Sequence, residues 1–520
     1  QNVSKSLIPP PLTLQDCLVN GKVDLVRYIY YRRKQDYIDV DNLIVANAIG
    51  KKRKLPNSPE LTKPRKKKSR SVKKHSLLVR NPDGSLRELT SEDTLWYLLY
   101  CQGVPQNNRL KRKFRNRFRM PHQSFIELHD TIIDHEMFSS WKSNDAAGVK
   151  PSDTKLLLLG ALRYIGRGWT FDDIEEATAI SRETNRRFFL KFIEYGSSVL
   201  YKKYVLDLSL NGMVAKHERL FNLAGFNGCI GSTDATHIGM LNCAAWAHIL
   251  HKGFKLCIPS RTYNMTVAHT RQILGSTCGH PATYNDKTLI MFDELVSNVN
   301  DGSVPDNFEF MLYEYDKNGE VVEITYKGVW FMVDNGYLSW SCTVPPVKDG
   351  ASYKVIRFSE CLESMRKDVE CTFGILKGRF CLLRYGLRFA KVQHCDQTWL
   401  TCCALHNMLL YVDGLHKNWE DGGVSDWETM NMKCGINNEN KTLPFAISRL
   451  NRDLNETCSK VEVDDMELDD APDFRKYTSG NKRIVSKMPL SLFQQCLVNH
   501  FDIRFKQKSI TWPRHIKLPQ

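Results

Sequence analysis

Two textures of apolar spacing divide the chain. From about residue 88 to 200, apolar residues recur every three or four positions, as on helices with one buried face. LTSEDTLWYLLYC has a Ser/Glu start that suits a helix N-terminus, and in NRLKRKFRNRFRMP the pair Phe114 and Phe118 stands four apart among cations. TKLLLLGALRYIGR, TFDDIEEATAI and RETNRRFFLKFIEYG then predict three consecutive helices. Thr170 with Asp173 starts the second in capping-box fashion, and Ser181 caps the third after a short turn. From about 224 the texture turns to short apolar or alternating runs, the pattern of strands. GCIGSTDATHIGM, RTYNMTVAHT, RQILGSTCGH and the run ending in VWFMVD read as strands, with DKTLIMFDELVSN as a crossover helix. NFEFMLYEYDKNGEVVEITYKG predicts a hairpin turning at Asp316–Gly319, and RKDVECTFGILKGRF a helix. The fold class expected is α/β, an all-helical region followed by a mixed core.

The flanks are sparser. Residues 1–85 read as a flexible basic arm, with a short helical stretch at Leu18–Tyr31 after three prolines. Beyond 414 come a loop-like stretch, the acidic linker VEVDDMELDDAPD, and a closing helix bearing Leu490, Phe493, Leu497 and Phe501, expected to dock on the body. The chain thus divides into four regions: 1–85, 86–222, 223–413 and 414–520.

Charge narrows the choice of partner. Over 520 residues the chain carries 73 Lys and Arg against 58 Asp and Glu, a net +15, which favours a polyanion. No apolar run approaches membrane-spanning length and the polar start is no signal peptide, so a soluble intracellular protein without membrane contact is expected. Sixteen cysteines without a regular framework fit reduced thiols. Two basic clusters, Lys51, Lys52, Arg53, Lys54 and then Arg65, Lys66, Lys67, Lys68, suit a bipartite nuclear localisation signal, or a solvated tail touching DNA phosphates. The expected location is the nucleus.

Candidate chemistry rests on three acids. Asp234 and Asp334 sit in or at the end of apolar runs, where a carboxylate is costly unless a cation neutralises it. Glu370 lies on the helix after Asp334 and shares a face with Arg366, Phe373 and Lys377. Three converging carboxylates suit two Mg²⁺ or Mn²⁺ ions and phosphodiester transfer. Candidate DNA contacts are Arg112, Lys113, Arg115 and Arg117 in the first basic helix, equally readable as a solvated face. Arg182, Arg186, Arg187 and Lys191 would lie on the last helix of a helix-turn-helix, the alternative being a plain helical bundle. Lys252, Lys255, Lys377 and Arg379 surround the acids in sequence. His237, three residues past Asp234, faces the other side of its strand and serves either structure or a secondary metal or phosphate role. Trp399, Cys402, Cys403 and His406 keep to helical spacing, which favours a packed helix over a zinc site.

The blocks STDATHI, GHPATYNDKT, MVDNGYLSW, DVECTFGILKGRF and CCALHNML, in that order, resemble PIF/Harbinger-type DDE transposases over roughly residues 110–412. The resemblance implies an RNase H-like catalytic core with Asp234, Asp334 and Glu370 as its triad, and cut-and-paste transposition with strand transfer. It also implies terminal inverted repeats and target DNA as partners, and a Myb-like accessory protein. Where the family often has His-Asp-Ser, this chain has Asn285, Asp286 and Lys287. Paired-end chemistry adds the expectation of a homo-oligomer, at least a dimer. The alternatives are a domesticated DNA- or chromatin-binding descendant without transposition, and a nuclease without strand transfer.

Overall fold

The computed structural model describes residues 78–414 and 473–511, apart from 82, 145–147, 149, 206–210, 254, 306 and 348–351. The chain divides into Gln1–Lys74 and His75–Gln520, and every described residue belongs to the second unit. The basic clusters, the Leu18–Tyr31 stretch and the acidic linker lie outside the described residues.

A small hairpin, β1 (Leu78–Arg80) and β2 (Leu86–Glu88), precedes the helices. LTSEDTLWYLLYC forms a 3-10 turn at Ser91–Asp93 and a wide helical turn at Tyr97–Gln102. Then come α1 (Asn108–Phe118), α2 (His122–Asp134), α3 (Thr154–Arg167), α4 (Phe171–Thr178) and α5 (Arg182–Tyr195). The predicted caps form: Thr170 and Asp173 make a reciprocal box, and Ser181 accepts from the Thr184 amide. Phe114 and Phe118 are fully buried.

After α6 (Asn211–Leu223) the main sheet begins with β3 (Cys229–Gly239), β4 (Ser260–Val267), β5 (Ile273–Ser276) and the two-residue β6 (His280–Pro281). The expected crossover helix is two short ones, α7 (Asp286–Ile290) and α8 (Glu294–Asn300). Asp293 causes the break: its side chain caps α8 through the Val296 amide and accepts from Asn264 Nδ2, so the chain turns there. The predicted hairpin is present as β7 (Glu309–Tyr315) and β8 (Val321–Lys327), with Gly319 left-handed at φ +79°. β9 (Trp330–Met332) and β10 (Thr343–Val344) complete the main sheet.

The main sheet runs β10-β9-β3-β4-β5, with β6 pairing with β4. β3, β4 and β5 are antiparallel neighbours, whereas β9 and β10 run parallel to β3. The hairpin does not extend this sheet. It joins β11 (Thr478–Ser479) and β12 (Lys482–Ile484) in a second mixed sheet.

Three helices close the structure: α9 (Tyr353–Arg379), α10 (Cys381–Tyr385) and α11 (Val392–Val412), joined near the C-terminus by α12 (Leu490–Lys506). One core joins the helical region to one side of the sheet, α9 and α11. A second packs Phe493, Leu497 and Phe501 of α12 with Phe226, Trp330 and Phe358, so the closing helix docks as predicted. Trp399, Cys402, Cys403 and His406 are all buried in α11, and the imidazole Nε2 of His406 lies 2.9 Å from the Arg271 carbonyl. Among the described residues no helix is long and apolar enough to cross a membrane.

Candidate active site

β3 and β9 are adjacent and parallel, and their register sets Ser232 beside Met332. Two residues beyond that pair come Asp234, still within β3, and Asp334, just past the end of β9, and the charge of Asp334 acts on Asp234. Asp234 accepts from the Ala235 amide at 2.7 Å, and Asp334 from the Gly336 amide at 2.8 Å. A Cβ on Gly336 would stand 2.9 Å from Asp334 Oδ1 and 3.0 Å from Asp286 Oδ2. A side chain at 336 would crowd both carboxylates, and their common approach to this turn brings Asp286 beside Asp334 as a fourth acid.

α9 packs against β3 and brings the third acid. Buried Asp368 accepts from Arg271 and pairs with His269 Nδ1 at 2.7 Å, pinning α9 to the β4–β5 turn. Two residues later Glu370 faces the sheet edge with 47% of its side chain exposed. Arg366, one turn earlier, bridges the acids. Its guanidinium lies 3.1 Å from Glu370, 2.8 Å from Glu363 and 3.7 Å from Asp234. As they stand, no three His, Cys, Asp or Glu side chains among the described residues are grouped closely enough to hold an ion.

Burial pushes the Asp234 carboxyl up to about 6. The Ala235 amide and Arg366 pull it down, while the charges of Asp334 and Glu370 push the same way as burial. Burial also raises Asp286, with Asp334 adding and Lys255 opposing. Below the acids, the Tyr337 hydroxyl donates to Asn264 at 2.8 Å, and after burial its pKa is raised by Asp234, Asp286 and Asp334. Electrostatic influence thus links Asp334 with both Asp234 and Asp286, and Glu370 with Asp234.

Cations border it. Lys377 Nζ donates to Thr236 Oγ1 at 2.8 Å, and burial lowers its pKa. His237 Nδ1 lies 3.1 Å from Thr262 Oγ1, and its pKa is lowered to about 4 by burial and then by Lys255 and Lys377. It is therefore neutral at pH 7. Lys252 and Lys255 are exposed.

Arg379 corrects the sequence reading: it is fully buried, with Nη1 3.2 Å from His406 Nδ1. Nine residues past Glu370, at about 100° per residue, it leaves the opposite side of the helix and is buried in the core. In the helical region Arg112, Lys113, Arg182, Arg186 and Arg187 are exposed. Arg115 is paired with Asp413 at 2.7 Å and Arg117 donates to the Tyr100 hydroxyl at 3.2 Å, so both serve packing. Arg186 and Lys191 pair with Glu183 and Glu194 on their own helix.

Sequence reasoning missed Asp286 as a member of the cluster. Its signal was the glycine at 336, two residues past the second aspartate, which leaves room for another side chain.

The central region of this chain is similar to a family of transposon proteins, a similarity that suggests a transposase-like function. The relationship is to the family described as plant transposon protein, whose family model matches residues 208–416 and so spans Asp234, Asp286, Asp334 and Glu370. No curated protein and no solved structure matches the chain.

Proposed function

We propose that the protein is a metal-dependent DDE transposase of the PIF/Harbinger type, with Asp234, Asp334 and Glu370 as its triad. The single observation that carries this reading is the parallel register of β3 and β9, from which Asp234 and Asp334 each follow two residues beyond the last pair, with Glu370 joined to Asp234 through the Arg366 guanidinium. The strand order supports it: three antiparallel strands, then two parallel to the first, is the order of the RNase H-like fold. α3, α4 and α5, with three residues between the last two, are compatible with a helix-turn-helix offering Arg182, Arg186 and Arg187 to DNA.

The donor set suits Mg²⁺ or Mn²⁺. It consists of hard oxygens, and the Asp234 carboxyl, raised chiefly by burial, is one that a cation would stabilise in its charged form. Arg366 supplies part of that charge, and Glu363 can keep hold of it when it swings away from Asp234 and Glu370. Two ions held by Asp234, Asp334 and Glu370 would activate the attacking oxygen and stabilise the leaving one. Lys377, Lys255 and Lys252 would neutralise phosphates entering this edge. DNA ends and target DNA are the substrates in this reading, an oligomer of at least two chains and a Myb-like helper its partners, and the nucleus its location.

The test is cleavage, by the full chain with Mg²⁺, of DNA carrying whatever inverted repeats are found to flank the gene. Cleavage lost in Asp334→Asn, with DNA binding retained, supports the proposal. Cleavage at the wild-type rate by that variant refutes the triad.

A further inference from the structure

The segment between β3 and β4 presents an uncovered apolar face. Residues 245–251 form a short helical turn, Ala245–Ala247 running into His248–His251. Its inner side is anchored: Ala247 and His251 are buried, and His251 Nδ1 lies 3.3 Å from the Ser260 carbonyl. Thr283 donates to the Leu250 carbonyl at 3.0 Å, and the Asn242 side chain to that of Arg388 at 3.0 Å. The outer side is bare. Trp246 is 68% exposed, Ile249 86% and Leu250 43%, at the i, i+3, i+4 spacing that shares one face. Leu241 and Ile258, also exposed, belong to the same segment. A fixed apolar face of this kind marks an interaction surface.

Charge says what covers it. From residue 235 to 285 the chain has no acidic residue, while His248, Lys252 and Lys255 stand exposed in and beside the turn. Lys255 acts electrostatically on both His237 and Asp286, so the segment is rooted beside the carboxylate cluster. Apolar side chains flanked by cations, next to a site for phosphodiesters, suit DNA whose bases are parted. An acidic protein surface would match the lysines but leave Trp246 and Ile249 without an apolar counterpart.

We propose that the 245–251 turn is a wedge that enters the DNA stack beside the carboxylates, Trp246 stacking on an unpaired base and Ile249 filling the opened step, with Lys252 and Lys255 on the flanking phosphates. This rests on the reading of the carboxylate cluster as a DNA-processing site. A wedge bears the cost of unpairing, so DNA already unpaired binds more tightly.

The experiment compares binding of the full chain, in chelator, to a fluorescent duplex and to the same duplex with a central unpaired bubble. Wild type is expected to favour the bubble by about tenfold, and Trp246→Ala/Ile249→Ser to keep no more than about a twofold preference. Affinity for the paired duplex should change by less than about threefold, since Lys252 and Lys255 remain. Both replaced side chains are exposed, so matching thermal melts confirm an intact fold. An unchanged preference in the variant overturns the wedge, as does equal binding of both duplexes by wild type. A drop in oligomer mass of the variant with no change in preference overturns it in favour of a contact between copies. Wild type binding neither duplex overturns the DNA reading together with the wedge.

Discussion

Replacing Asp234 by Asn tests whether the protein holds this carboxylate against its own preference. Burial moves it from an ordinary 3.8 to about 6, and the side chain is only 19% exposed, so solvent screens little of the effect. At 1.36 kcal/mol per pKa unit the displacement corresponds to roughly 3 kcal/mol. The folded chain binds this proton more tightly than the unfolded chain. Stability from this group is therefore complete below pH 4, declines between about 4 and about 6, and is absent above. Asn cannot ionise, so Asp234→Asn removes that decline. In the absence of metal at pH 7.5 the variant should melt a few degrees above wild type. Mg²⁺ should then raise the wild-type melting temperature and leave the variant nearly unmoved, because ligand binding stabilises only the state that binds. Thermal melts from pH 4 to 8, with Mg²⁺ or with chelator, give all four curves. If wild type and variant show the same pH dependence, or gain equally from Mg²⁺, the reasoning about Asp234 is refuted.

Other perturbations probe the supports of the site. Arg366→Gln removes the guanidinium shared by Asp234 and Glu370, so Mn²⁺ binding measured by calorimetry should tighten about tenfold, equivalent to about 1.4 kcal/mol; weaker binding would contradict the bridge as a competitor. Asp368→Ala strands the buried Arg271 and His269, and a loss of about 3–5 kcal/mol in denaturant titration is expected. Lys252→Ala with Lys255→Ala should lower duplex affinity and reduce the slope of log affinity against log salt by about two, whereas Arg379→Ala, at a buried position, should lower the melting temperature instead.

Much of the site was legible because strand periodicity and apolar flanks declare a half-buried carboxylate. Asp234 and Asp334 stand out from local pattern, and Glu370 from its helix. Pairing was not legible. The hairpin β7–β8 was correctly found from its Asp316–Gly319 turn, yet its partner strands lie about 150 residues later, beyond any local signal. The split at Asp293 was hidden because a capping carboxylate and a helix-interior one look alike in a string. Basic residues misled for a related reason. Arg115, Arg117 and Arg379 have the composition of a DNA contact, but Asp413, Tyr100 and His406, which engage them, are supplied by other parts of the chain.

The central question is whether these acids take up divalent ions. Crystals of the full chain soaked in Mn²⁺ and measured at the manganese absorption edge answer this directly. Anomalous density is expected among Asp234, Asp334 and Glu370, with Arg366 drawn back toward Glu363. A fully soaked crystal with no density there, and Arg366 still bridging Asp234 and Glu370, would contradict it.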